Sequence, residues 1–372
     1  VARQQAMFVA FDVEQFVPAD HPLRKIKRWA DAVLAEMSRD FTKAYGATGR
    51  PGIPPERLIK ALLLQALYSI PSETRLVDAI QYNLLYRWFL DLPLEEDAWT
   101  QEAFSMNRDR FEVHDLYRKF FDRVVAECID QKLASPDHFT IDGTLIRSLA
   151  SHKSLAPIDG AAVEKKDDDD PEAGGRDPSV DWRGQKRSNA THRSTTDPDA
   201  RLARKGNGRE SHLCHSGHVL MENRSGLCLS ITVDRADGHA ERRNALRMLR
   251  HVEHRHGLVP RTTGMDAGYK AGEFLCAIED HGSTPHVPIP EDPIRGDTPG
   301  AHARRRARRR MNTAGYRLSQ RVRKRAEQIF GWGKTVAGLA RTRFIGHERV
   351  ESSALITGAA YNLLRMTRLL PA

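Results

Sequence analysis

No stretch of this 372-residue chain is apolar over 18 consecutive positions, so nothing in it reads as a membrane-spanning helix. No signal-peptide pattern opens it. Cysteine is scarce: the four, Cys128, Cys214, Cys228 and Cys276, stand far apart, with no C-x-x-C pair, each in an apolar segment. That excludes a disulfide framework or a zinc–thiolate finger and predicts reduced core residues in a cytoplasmic protein. One segment lacks acids altogether. Residues 301–326 hold ten Arg, one Lys and no Asp or Glu, in a chain whose net charge is only +9, so the remainder is close to neutral. Cationic charge gathered in one place implies a local polyanion contact. Another segment, about Ser151 to Arg209, lacks large apolar residues, carries Asp167–Asp170 and several Pro and Gly, and is expected to be a loop or a partly ordered insertion.

The hydrophobic content of 40% suffices for a real core, and the length suggests two domains. Up to residue 134 the pattern is helical. Ile26, Trp29, Val33 and Met37 recur at helical spacing, and Pro55 opens a helix whose apolar face is Leu58, Ile59, Leu62, Leu63, Ala66 and Leu67. Ser72 can cap a second helix with Leu76, Ala79, Ile80 and Leu84, so the pair resembles a helix-turn-helix; packing or dimerisation is the plainer role. Leu116, Phe120, Val124, Cys128 and Ile129 mark a strong amphipathic helix. From residue 135 the period changes. Strands are predicted at His138–Thr144, Leu213–Glu222, Gly226–Val233, Leu258–Met265 and Thr284–Ile289, with helices at Ala240–His256, Ala271–His281, around Glu327 and at Val350–Leu369. Three meandering strands followed by α/β alternation predict an α/β fold: a mixed five-stranded sheet flanked by helices, preceded by an all-α domain at 1–134.

Arg321 to Lys334 reads as one helix, with Val322, Ala326 and Ile329/Phe330 inside. Gln320, Arg323, Glu327 and Lys334 lie on a second stripe. Such a helix with an ordinary Arg–Glu pair is commonplace. Asp142 and Asp266, however, each end a predicted strand, where ligands collect in open α/β sheets. If those strands are neighbours and the helix packs beside them, three carboxylates meet. Hard divalent cations take such oxygen ligands, and a pair of them can clamp an in-line phosphoryl displacement.

The chain resembles the DDE transposases of bacterial insertion sequences, whose catalytic domain is RNase H-like. The likeness is carried by Gly49-Arg50-Pro51, Tyr86-Arg87-Trp88-Phe89, Phe139-Thr140-Ile141-Asp142-Gly143-Thr144, Ser188 to His192, Thr195 to Ala200, Gly217 to Arg224 and Met265-Asp266-Ala267-Gly268-Tyr269. The signature Y-x2-R-x3-E-x6-K is met by Arg323, Glu327 and Lys334. Gln320 stands at the Tyr position, with Tyr316 one turn earlier. The resemblance implies Asp142, Asp266 and Glu327 as catalytic ligands of two Mg²⁺, with Mn²⁺ able to substitute. It implies phosphate contacts from Gln320, Arg323 and Lys334, and looser backbone tracking by Arg304, Arg305, Arg306, Arg308, Arg309 and Arg310. Double-stranded DNA, as element ends and target, is then the partner, with a homodimer on DNA, end recognition by residues 50–110, no membrane and a nucleoid-associated cytoplasmic location. Asp197 and Asp199 are weaker carboxylate candidates, in a turn-like Asp-Pro-Asp. His192, His212, His215 and His218 lack the spacing of a helical zinc site and read as structural or DNA-facing. Two other readings share these residues: a non-catalytic DNA-binding descendant, and a structure-selective nuclease that cuts without joining.

Overall fold

The computed structural model describes residues 12–45, 52–158, 187–206, 208–238 and 240–370. Gly49-Arg50-Pro51 and Asp167–Asp170 lie outside these residues. Eight helices come first: α1 (Val13–Phe16), α2 (Pro22–Glu36), α3 (Ser38–Ala44), α4 (Pro55–Leu67), α5 (Glu73–Tyr82), α6 (Leu84–Phe89), α7 (Glu102–Val113) and α8 (Leu116–Asp130). Their starts follow local chemistry. Pro22 and Pro55 occupy first turns, where a missing N–H costs nothing, and the Ser72 hydroxyl accepts from Arg75 N–H at 3.2 Å. The expected apolar stripe of α8 is in place: Leu116, Phe120, Phe121, Val124, Val125 and Cys128 are all buried.

The strands are β1 (His138–Arg147), β2 (Leu155–Pro157), β3 (His192–Ser194), β4 (Arg201–Ala203), β5 (His212–Glu222), β6 (Leu227–Arg235), β7 (Thr262–Gly264) and β8 (Thr284–His286). Antiparallel β1, β5 and β6 form a meander; β7 pairs parallel with β1, and β8 parallel with β7. The sheet therefore runs β6-β5-β1-β7-β8, the mixed arrangement anticipated. It has one strand more than the five expected, because β4 pairs with the first residues of β5. Helix α9 (Ala240–His256) follows β6, and α10 (Gly272–Asp280) precedes β8; α11 (Pro299–Arg310), α12 (Ala314–Val322), α13 (Ala326–Thr335) and α14 (His347–Leu369) complete the chain.

One expectation is sharpened and another corrected. Of the polar stretch 151–209, expected as a loop or a partly ordered insertion, residues 187–206 carry β3 and β4, and Asp197, Ala200 and Ser194 are buried. Hydrogen bonds hold this described part in place. Asp197 accepts from the Ser148 hydroxyl at 2.6 Å, His215 Nε2 at 2.9 Å and Gly346 N–H at 3.2 Å. The helix of Glu327 is not continuous. A 3₁₀ turn at Arg323–Arg325 separates α12 from α13, so the stripe drawn from Gln320 to Lys334 is rotated across that turn.

Helix α14 ties the halves together, packing on α2, α4 and α8 on one side and on β6 on the other. A Cβ on Gly358 would lie 2.8 Å from Phe121 of α8 and 3.5 Å from Ile231 of β6, so only glycine permits this approach. Asn362 accepts from Cys228 N–H at 2.9 Å and donates to its carbonyl at 2.8 Å, satisfying a buried stretch of β6.

Candidate active site

The parallel pairing of β1 and β7 puts Thr140 opposite Gly264. Asp142 lies two residues further along β1, and Asp266 two residues beyond Gly264, past the end of β7, close enough for their charges to interact. Because β1 runs on to Arg147, paired with β5 up to that residue, Asp142 stands within its strand and not at the strand end expected from the sequence. The half-buried Asp142 carboxylate accepts from Gly143 N–H at 3.0 Å and faces Arg323 Nη1 at 3.7 Å. Burial pushes this carboxyl above the ordinary range, and the charges of Asp266 and Glu327 push the same way; the Gly143 N–H and Arg323 oppose them. Asp266 caps a 3₁₀ turn, accepting from Gly268 N–H at 2.8 Å. Glu327 lies exposed in the first turn of α13, within electrostatic reach of Asp142.

A fourth carboxylate that the sequence reading missed stands here. Glu241, in the first turn of α9, reaches over the turn at Gly268: an atom at that residue's Cβ position would lie 3.0 Å from Asp266 Oδ1 and 3.2 Å from Glu241 Oε2. Burial raises the Glu241 carboxyl, and the charges of Asp266 and Asp142 raise it further. The repulsion among these carboxylates is partly offset at Asp142 by the Arg323 guanidinium. Among the described residues, no three acidic, His or Cys side chains stand together at metal-ligand spacing.

Residues 11–110 match the family model described as "Transposase domain (DUF772)", and residues 179–363 the model described as "Transposase DDE domain". The two segments together span well over half of the chain. The chain belongs to the DDE-type transposases. No curated protein matches it in sequence. Among solved structures, the cryo-EM structure of a piggyBac transposase synaptic complex with hairpin DNA is similar, at 9% identity and a TM-score of 0.36, covering 94% of this chain and 73% of that one. None of the transposase's described helices is long and apolar enough to cross a membrane.

The remaining candidate residues of the transposase fall into different places. Gln320 does not face the cleft with a free amide: it donates to the carbonyls of His286, at 2.9 Å, and Met265, at 3.4 Å, holding together the strand ends next to Asp266. Lys334 is half-buried and donates to Thr144 Oγ1 at 2.6 Å; burial lowers its pKa, as do Lys205 and Arg147 nearby. Most arginines of α11 are engaged within the chain. Arg306 and Arg310 pair with Glu279, Arg305 donates to the carbonyls of Ile294 and Gly296, and Arg308 to those of Pro290 and Asp292. Only Arg304 and Arg309 of that run make no such contact among the described residues.

Asp197 and Asp199 are structural. Asp199 pairs with His347 at 2.7 Å and with Arg235 at 2.5 Å, clamping the start of α14. His215 serves Asp197, and His218 is fully buried. In the helix pair of α4 and α5, α4 is a core helix with Leu58, Ile59, Lys60, Ala61, Leu63, Leu64 and Ala66 buried. The outer face of α5 carries Arg75, Asp78 and Tyr82, a mixed rather than a basic surface.

Proposed function

We propose that this transposase binds the terminal inverted repeats of a bacterial insertion sequence, cuts there in a Mg²⁺-dependent reaction and joins the freed end to target DNA. The observation that most supports this is that the Asp142 carboxyl feels the charges of Asp266, Glu327 and Arg323 at once, next to the point where β1 and β7 pair. Asp142, Asp266 and Glu327 would hold two Mg²⁺, or Mn²⁺ in their place, and Glu241 is the nearest additional oxygen donor. Divalent cations bound there supply an activated water and stabilise charge on the attacking and leaving oxygens.

The chain's own residues do the rest. Asp142, on β1, and Asp266, at the turn just past β7, would fix where the cations sit beside the reacting phosphodiester. Arg323 moves from Asp142 to a phosphate oxygen as DNA enters, and Lys334 steadies the neighbouring phosphate. Hydrolysis releases a 3′-OH, which then attacks target DNA in the same site. Residues 1–134 would recognise the ends, chiefly through 50–110, and 135–372 would cut. Arg304 and Arg309 are the cations of α11 free to track the backbone, and Gln320 acts by positioning Asp266. Two ends brought together call for a homodimer on DNA.

The test is nicking of an end-bearing duplex with Mg²⁺. Glu327→Gln and Asp142→Asn should bind the duplex and leave it intact. Unimpaired nicking by either variant would remove that residue from the reaction. Joining of a pre-cut 3′-OH end to a plasmid separates the transposase reading from a nuclease that only cuts.

A further inference from the structure

We infer that the strand being cut lies in a basic cleft beside the carboxylates, lined by Arg147, Arg204, Lys205, Arg209 and Lys334, rather than along the arginine-rich helix. This assignment rests on the DNA-cutting reading above and names where its substrate runs. The cleft encloses about 1160 Å³. Asp266 and Glu241 line it together with these five cations, which belong to β1, to the segment between β4 and β5, and to α13.

Three features make this the track. Arg147, Arg204, Lys205 and Arg209 are exposed and make no ion pair among the described residues; Arg147 has only the His212 ring nitrogen, at 2.8 Å. Of the acids in the cleft wall, Glu210 lies 3.6 Å from His212. Lys334, Lys205 and Arg147 oppose one another's charge, so a polyanion threading between them relieves repulsion as well as making contacts. The contrast with α11 is one of availability. Its arginines outnumber those of the cleft in sequence, but Arg305, Arg306, Arg308 and Arg310 already hold Glu279 and the 290–296 segment. The occupant is a nucleic-acid backbone because the wall offers charge and hydrogen-bond donors beside carboxylates suited to phosphoryl chemistry. Contacts of this type position a strand without reading its sequence.

The experiment measures binding of the full-length protein to a labelled duplex of arbitrary sequence over a range of salt. The proteins compared are wild type, the triple variant Arg147→Gln/Lys205→Gln/Arg209→Gln, and Arg309→Gln. All four positions are exposed, and circular dichroism verifies folding. The triple variant should lose steepness in the log–log salt plot by about 0.9 for each phosphate contact removed. Arg309→Gln should change the slope by about one such step at most. An unchanged slope in the triple variant, with wild type binding normally, overturns the cleft assignment alone. Wild-type protein that binds no duplex at any salt overturns the DNA-cutting reading and this assignment with it. Preference for single-stranded RNA over the duplex, lost in the triple variant, would place a different nucleic acid in the cleft and overturn the assignment to the cut DNA strand.

Discussion

The Arg323 guanidinium stands 3.7 Å from the Asp142 carboxylate, Nη1 to Oδ2. Arg323 reaches it from the 3₁₀ turn that breaks the α12–α13 helix, so the turn aims the cation at the sheet end. At this separation and partial exposure the pair should be worth about 0.2–1 kcal/mol in a double-mutant cycle of Asp142→Asn and Arg323→Gln. Thermal unfolding with and without millimolar Mg²⁺ measures it. The coupling should shrink when the cation is present, because Asp142 then has another counter-charge. A coupling indifferent to Mg²⁺ would mean that Asp142 does not exchange partners.

Glu241 approaches the same point over Gly268 as Asp266 does. Glu241→Gln preserves shape and removes charge. It should lower the affinity for Mn²⁺, followed by electron paramagnetic resonance on the DNA-free protein, by about 10–100-fold, the range seen when a group supporting a metal site is lost. Unaltered Mn²⁺ binding would leave Glu241 as an ordinary first-turn helix acid.

Asp197 gives a pH signature of its own. Burial alone would push its carboxyl up, but hydrogen bonds from His215 and Ser148, the His215 charge and the Gly346 N–H outweigh that and hold it at about 2, below the usual 3.8. A carboxyl depressed in the folded state stabilises the fold above its unfolded pKa, and this contribution fades as pH falls from near 4 toward 2. Asp197→Asn should therefore be less stable than wild type near neutrality, by about 2 kcal/mol, with the gap closing below pH 4. Urea titrations at pH 7 and pH 2 compare the full gap with one largely closed.

Gly358→Ala should destabilise by about 1–3 kcal/mol, since the added methyl meets the fully buried Phe121 at 2.8 Å with Ile231 behind it. Chemical denaturation measures this. Phe121→Leu on the same background should recover part of the loss by making room.

The five principal strands were legible as short apolar runs bounded by turn residues, whereas three-residue β4, which pairs with the start of β5, was too short to read. Asp142 stood out in a strand expected to stop at Thr144, but β1 runs on to Arg147, so it lies mid-strand; Asp266 stands two residues past β7. Other parts were hidden for identifiable reasons. Glu241 begins α9 in Ala240-Glu241-Arg242-Arg243, where an acid is what a helix N-terminus ordinarily favours, so it gave no separate signal. Arg204, Lys205 and Arg209 sit in a stretch whose composition predicts little order, and their value appears only once β4 docks on β5. The run Arg304–Arg310 hid its internal contacts. Counting charges cannot reveal that Glu279 lies one turn-spacing opposite Arg306 and Arg310, or that backbone carbonyls at 290–296 take up Arg305 and Arg308. The break at Arg323–Arg325 contains neither Gly nor Pro, so no local residue announces it.

Because α14 is buried by the helical N-terminal part and by β6 at once, neither portion keeps a sealed interior without the other. Cutting the gene at residue 134 would expose apolar surface on both products rather than liberate two independent modules. Heating the intact chain should melt the helical part and the sheet in one step. Among the described residues, then, the helical part and the sheet share one interior through α14, and a change in one is felt by the other.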